Sequence, residues 1–174
     1  MDRCARPLST KRSFQADTSV RPYIYVSMML MELKLPPPIL FLLAVVFIYG
    51  LPKIALPLAN WLSYLFIFMG IMIAIASLYP FYQHKTTINP HRPEQSVHLI
   101  TYGIYRFSRN PMYLSLVCFL LAFTFWQQQA LGFLVIIGFM AYLNRFQIQP
   151  EERILEQKFG QDFLQYQQKV RRWI

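Results

Sequence analysis

The sequence predicts an all-α integral membrane protein with about four transmembrane helices, the last two a tight helical hairpin, and a cytosolic amphipathic C-terminal helix. Three observations predict it. The 174-residue chain is 55% hydrophobic and only 14% charged, where soluble domains carry roughly 25% charge. Its apolar residues fall in long runs, and its positive charges gather on alternate connections. The formal net charge is +9, from 17 Lys+Arg against 8 Asp+Glu. Such a balance ordinarily raises nucleic acid as a partner. Here the apolar runs point to the lipid bilayer instead, and no nucleic acid is expected. Cys4 lies in a polar tail and Cys118 in an apolar run, so no disulfide framework is implied. No Gly-x-Gly pair occurs, which excludes a glycine-rich dinucleotide fingerprint, and there is no P-loop.

Residues 1–35 read as a basic tail without regular periodicity, expected to be disordered, and lacking the apolar core of a signal peptide. A natural start at Met31 is one reading of that contrast, and a basic membrane-surface arm is another. Residues 36–174 read as one membrane domain with spans at about 36–58, 61–82, 111–126 and 130–148. The first follows Pro36-Pro37-Pro38 and runs past Pro52-Lys53. Its core, Ile39–Leu51, is by itself shorter than the ~20 residues a spanning helix needs. The second is one uncharged apolar run. Only Gln127-Gln128-Gln129 separates the third from the fourth, enough for a tight turn between antiparallel helices. The tail carries six Lys/Arg, the 84–110 connection four and the segment from Arg145 six, with Lys53 the exception. Sixteen of the seventeen therefore fall on one side of a four-span topology. The positive-inside rule makes that side cytoplasmic, with both termini and residues 84–110 and 149–174.

From Glu151 onward, Leu155, Phe159, Phe163, Tyr166, Val170 and Trp173 recur in steps of four and three, tracing one helix face. Pro150 suits a first helical turn, Glu151 and Glu152 suit the positive end of a helix dipole, and Gly160 is a break or kink. This face reads as an amphipathic helix on the membrane surface or as a lid over a cytosolic cofactor site; periodicity favours the former.

The chemistry-bearing residues cluster at the cytosolic mouth. His84, His91 and His98 recur every seventh position, but Pro90 and Pro93 interrupt any shared helix, and no metal site is expected. Gly103 permits a turn. Asn110 is a candidate cap for a helix beginning at Pro111, whose free amides attract an anion. Arg106 and Arg109 are suited to pairing with a carboxylate or phosphate, and Tyr105 and Tyr113 offer flat faces with polar tips. Each of these also fits a plainer role as a positive-inside arginine or an interfacial aromatic. Asn144 and Arg145 close the fourth span, where Arg145 either snorkels or serves a site.

Together these stretches resemble the isoprenylcysteine carboxyl methyltransferase family, within the wider group that includes the phospholipid methyltransferases. The matching segments are Leu99-Ile100-Thr101-Tyr102-Gly103-Ile104-Tyr105, Arg109-Asn110-Pro111-Met112-Tyr113-Leu114, Arg145-Phe146 with Glu151-Glu152, Phe159-Gly160, and Tyr166 with Val170-Arg171-Arg172-Trp173. The resemblance covers about residues 31–174. It implies S-adenosylmethionine as cofactor, held from the cytosolic side by Val97, His98, Leu99, Ile100, Tyr105, Arg109, Asn110, Pro111, Met112, Tyr113, Glu151 and Glu152. It also implies Arg145 as the basic residue near the acceptor, with Arg145 and Glu152 the residues closest to the chemistry. Val97 stands where eukaryotic members begin the strip with histidine, and Asn110 where they carry another. The short four-span form resembles bacterial members, which implies the bacterial inner membrane.

The expected activity is methyl transfer to a lipidic, prenylated or otherwise membrane-borne carboxylate or thiol. The alternative acceptor is the amine of a phosphatidylethanolamine-type lipid. A non-enzymatic membrane protein is a third reading. A transporter would carry ionisable groups at mid-span and often internal repeats, and this sequence shows neither.

Overall fold

The computed structural model describes residues 35–52, 60–84 and 99–174. The N-terminal tail, the end of the expected first span, His91, Val97 and His98 lie outside the described residues. Among the described residues there is no strand. In chain order the helices are α1 (Pro37–Gly50), α2 (Trp61–His84), a 3-10 turn (Gly103–Arg106), α3 (Pro111–Trp126), α4 (Gly132–Leu143), a π-helical turn (Asn144–Ile148), α5 (Gln149–Phe159) and α6 (Gln161–Lys169).

Within α2, Trp61–Gln83 is long and apolar enough to cross a membrane, with 23 residues at a mean hydropathy of 2.1. Pro37–Gly50 and Pro111–Trp126 are apolar but shorter. At 1.5 Å per residue, the 14 residues of α1 reach about 21 Å. Leu51 is already extended, so α1 does not run through Pro52. The residue before a proline is driven out of the α region by the pyrrolidine ring, which accounts for the stop.

Small residues decide how α2 meets α3. Ser63, Gly70 and Ser77 recur every seventh position and are buried on the face toward α3, while Trp61, Tyr64 and Phe68 of the same helix are exposed. Lipid tails are as apolar as the side chains, so close packing rather than solvent exclusion holds such helices together. Each serine returns its hydroxyl to its own helix turn, Ser77 to the Ala74 carbonyl at 2.8 Å and Ser63 to Asn60. A methyl group on Gly70 would meet the Phe119 ring.

On its other side α3 joins α1 and α4 in one core. Ala44, Ile48, Tyr113, Val117, Leu120, Ile136, Phe139 and Leu143 form it, and Trp173 of the C-terminal segment packs against it. The turn expected at Gln127–Gln129 is present, with Gln128 in the left-handed region at φ 55°. These glutamines are more than loop filler. Gln129 donates to the Leu51 and Pro52 carbonyls at 3.3 and 3.1 Å, and Gln128 bonds Asn60. The turn thus ties the end of α1 to the start of α2.

At the start of α4 a Cβ on Gly132 would lie 2.5 Å from Thr124 Oγ1 and 2.6 Å from its Cγ2. Thr124 is fully buried and cannot turn aside. Gly132→Ala is therefore expected to cost about 1–3 kcal/mol through overpacking. Melting in detergent checks this, with Gly138→Ala, whose Cβ meets nothing within 4 Å, expected to behave as wild type.

Gly160 breaks the C-terminal helix, as its position suggests. Its φ of 52° with ψ of −121° is a conformation that residues with a Cβ rarely adopt, and it turns the chain from α5 into α6. The apolar face expected at the membrane surface is covered by the chain itself. Phe163, Tyr166 and Val170 pack with Leu99, Leu155 and Phe159.

Candidate functional site

The C-terminal segment straps back over the start of α3. The Arg109 amide donates to the Arg171 carbonyl at 3.0 Å, and Asn110 Nδ2 donates to the Arg172 carbonyl at 3.1 Å. Ser108, fully buried, faces the same carbonyl at 3.4 Å and accepts from the Asn110 amide at 3.2 Å. Asn110 occupies the N-cap position of α3, but its side chain makes no capping bond. The expected side-chain cap is not made: the Asn110 side chain is turned to the Arg172 carbonyl through its Nδ2 instead of presenting its oxygen to the amides of the first helical turn.

The strap delivers Arg172 to Glu152. Its guanidinium meets the carboxylate through two bonds, Nε to Oε1 at 3.2 Å and Nη2 to Oε2 at 2.6 Å. Its third nitrogen, Nη1, reaches Asn144 Oδ1 at 2.8 Å. Arg109 approaches Glu152 Oε1 from the other side at 3.2 Å. One buried carboxylate thus holds two guanidiniums and joins three segments. Beside it, the Tyr113 hydroxyl donates to Glu151 Oε1 at 2.5 Å. Burial pushes the Glu151 carboxyl up to about 8; the Tyr113 hydrogen bond opposes that shift and the Glu152 charge adds to it. Burial draws the Arg109 guanidinium down from its ordinary range, and Glu152 pulls it back.

Arg109 is not satisfied by Glu152 alone. Its Nε and Nη1 are buried and lack a hydrogen-bond partner among the described residues. An unmade buried donor costs roughly 1–3 kcal/mol, more when charged. Two such donors on one guanidinium make a place for an anionic group, while Glu151 and Glu152 can receive a cationic one.

The remaining expected site residues take different positions. Tyr105 is buried in the 3-10 turn. Its hydroxyl donates to the Ser77 carbonyl of α2 at 3.3 Å, and its own carbonyl accepts from Tyr166 at 2.7 Å. Burial pushes both phenols well above their usual range. Ile100 is buried and Leu99 packs on α6. Leu99, Thr101, Arg106, Asp162, Gln165, Tyr166, Lys169 and Val170 line a polar pocket of about 610 Å³ on this side. Pro111 is buried at the start of α3, and Met112 is half-buried, its carbonyl accepting from Ser115 at 2.7 Å. Arg145 is exposed, with its guanidinium 5.7 Å from the Phe146 ring. The guanidinium that clasps Glu152 from the C-terminal side is Arg172.

The dipole role expected for Glu151 and Glu152 is also corrected. The residue before α5, Ile148, is itself helical, and the Gln149 amide bonds the Asn144 carbonyl, so no free helix end faces the pair. Two residues escaped the reading from sequence alone: Gln147, and the side chain of Arg172. Arg172 finds its partner 20 positions away, beyond any local charge pattern. For Gln147 the available signal was Pro150, whose ring disturbs the helix turn before it.

The sequence model of the family described as phospholipid methyltransferase matches residues 58–162, more than half of the chain. An uncharacterized protein of Haemophilus influenzae (strain ATCC 51907 / DSM 11121 / KW20 / Rd) is 51% identical over 63 residues, which are 36% of this chain and the whole of that relative. No solved structure matches the chain.

Proposed function

The chain belongs to the phospholipid methyltransferase family, and we propose that it is an S-adenosylmethionine-dependent methyltransferase acting on a lipidic or membrane-borne acceptor. One observation carries this reading: a buried, charged site with unspent donors stands at the ends of apolar helices. Arg109 offers two buried nitrogens, without a partner among the described residues, for the cofactor's carboxylate. Glu151 and Glu152 offer carboxylates for its ammonium and ribose hydroxyls. The chemistry of this donor set fits the cofactor, and His98, Val97, Leu99, Ile100 and Tyr105 keep their place in the proposal through the family resemblance. When bound, S-adenosylmethionine supplies a methyl group made electrophilic by its sulfonium.

Methyl transfer is an in-line displacement, and the protein's main contribution is orientation and exclusion of water. Glu152 fixes Arg109 and Arg172 in place. Tyr113 fixes Glu151, and the C-terminal strap closes the side of the site. In the proposed topology of four spans and cytoplasmic termini, the acceptor reaches this site from the bilayer and Arg145 lies on its path. The setting is the bacterial inner membrane.

A carboxylate or thiolate acceptor is already nucleophilic and needs only alignment. An amine acceptor, as on a phosphatidylethanolamine-type lipid, must first lose a proton. The Glu151 carboxyl, pushed up to about 8, titrates close to neutral pH, and its ionised fraction is matched to taking one. That observation favours the amine as the second reading.

Calorimetric titration of S-adenosylhomocysteine into the detergent-solubilised protein tests the cofactor. Saturable binding is expected, and Tyr113→Ala is expected to abolish it while the protein stays folded. No binding by folded wild type overturns the reading. Radiolabelled methyl donor with membrane extracts then separates the acceptors by whether label enters methyl esters, thioethers or methylated headgroups.

A further inference from the structure

We infer that the pocket between the 3-10 turn and α6 binds the phosphodiester headgroup of an anionic membrane phospholipid through Arg106 and Lys169, apart from the Arg109–Glu152 site. Three observations support it. The first is how the pocket is built. Asp162, Gln165, Tyr166 and Lys169 stand at i, i+3, i+4 and i+7 of α6, so they share one stripe of the helix, and all four line the pocket. The buried Tyr166 hydroxyl donates to the Tyr105 carbonyl at 2.7 Å and pins that stripe to the 3-10 turn. Arg106, the next residue of the turn, lines the pocket together with Thr101. The space between them is about 610 Å³.

The second observation is charge. The side chains of Arg106 and Lys169 make no hydrogen bond or ion pair among the described residues, whereas Arg109 and Arg172 are committed to Glu152. Two cations against the single Asp162 carboxylate leave the pocket with one net positive charge. That balance suits the one negative charge of a phosphodiester rather than the two of a phosphomonoester. Thr101 and Gln165 add neutral donors and acceptors, and Asp162 can accept from a headgroup hydroxyl. A zwitterionic headgroup would bring its own ammonium beside two cations and cancel the charge that draws the phosphate in.

The third is depth. The Tyr105 hydroxyl donates to the Ser77 carbonyl at 3.3 Å, which holds the 3-10 turn against α2. Ser77 lies six residues before Gln83, the end of the apolar stretch, or about 9 Å along the helix axis. The 23 residues of that stretch reach about 34 Å, slightly more than the ~30 Å hydrocarbon core. The turn therefore sits where acyl chains give way to headgroups. Exposed aromatics gather at the same level: Tyr79 and Tyr82 on α2, and Tyr102 and Phe107 on either side of the turn, Phe107 at 76% exposure. Such residues anchor a protein at the interface. A cationic pocket at this depth meets lipid phosphates before it meets solutes.

Native mass spectrometry of the full detergent-solubilised chain, titrated with phosphatidylglycerol, tests the site without needing methyl transfer. One saturable lipid adduct is expected. Arg106→Gln and Lys169→Gln are each expected to weaken it about fivefold, and the double variant about twenty-five-fold, the scale of one basic side chain acting on an anionic headgroup. Both side chains are exposed, so these variants are expected to melt as wild type does. Lys158→Gln removes the same charge from the exposed side of α5 and is expected to leave the adduct unchanged. Full-strength binding in the double variant overturns the inference, and so does an equal loss in Lys158→Gln, which would mean attraction to overall charge. Phosphatidylethanolamine with the same acyl chains and inorganic phosphate are both expected to bind more weakly. Equal binding of the first would make this a zwitterionic headgroup site, and equal binding of the second a site for a free anion; either overturns the inference. Saturating S-adenosylhomocysteine is expected to leave the lipid adduct in place. Displacement would assign the pocket to the cofactor and overturn the inference as well. Failure of S-adenosylhomocysteine to bind wild type would leave the lipid titration intact.

Discussion

Glu152→Gln is expected to weaken S-adenosylhomocysteine binding by about a hundredfold and to lower stability by about 3 kcal/mol, the lower end of what breaking a buried ion pair costs. The carboxylate is one-tenth exposed and serves Arg109 and Arg172 at once. An amide in its place can bond one guanidinium through its oxygen but presents N–H donors to the other. Two guanidiniums would then sit beside each other without a counter-charge, and Arg172 would lose the anchor that holds the C-terminal strap over Ser108–Asn110. Both consequences reach the Arg109 donors offered to the cofactor. Glu156→Gln on the exposed side of α5 is the control and is expected to match wild type. Isothermal titration and detergent melts report the two effects separately. A normal isotherm in folded Glu152→Gln would place the cofactor elsewhere, and the pocket between the 3-10 turn and α6 would be the next place to examine.

Local rules made α2 and α3 legible from the sequence. An uncharged apolar run reads as a helix whatever it packs against, Pro111 marks the start of α3, and the three glutamines mark its end. Gly160 was legible as a break for the same reason, since the cause sits at the residue itself. The site was legible only in part. Arg109, Tyr113, Glu151 and Glu152 do come together, but their pairing follows from how the last residues of the chain fold back. Nothing near Arg172 in sequence signals Glu152, and Asn110 fits a cap by every local criterion until the Arg172 carbonyl claims its amide. The acceptor contact expected of Arg145 came from the family resemblance, while its place at the end of an apolar run left snorkelling equally open. In the structure the extra residue of the π-turn leaves it at the surface and turns Gln147 inward. One inserted residue in a helix rotates everything after it by about 100°, so a regular helix period carried through this turn does not anticipate the burial of Gln147.

Stability is expected to fall as pH rises from about 4.5 to about 8, and Glu151 is the group responsible. The sign follows from where the proton sits. The ordinary carboxyl value of 4.5 applies to the unfolded chain, and burial raises the folded value to about 8. Between those values the folded protein keeps a proton that the unfolded chain has released. Raising the pH therefore favours unfolding, with a slope approaching about 1.4 kcal/mol per pH unit inside the window and flattening outside it. Glu151→Gln removes the titrating group while keeping an acceptor for Tyr113. It is expected to abolish this slope and to be more stable than wild type at pH 8, although it removes a carboxylate from the site. Melting curves in detergent across pH 5–9 for the two proteins decide it. Parallel curves would mean that Glu151 titrates as an ordinary carboxylate below this range, and the case for an amine acceptor, which rests on a carboxyl raised toward neutral pH, would go with it. A slope confined to wild type would leave that carboxyl as the group to follow in the pH dependence of methyl transfer.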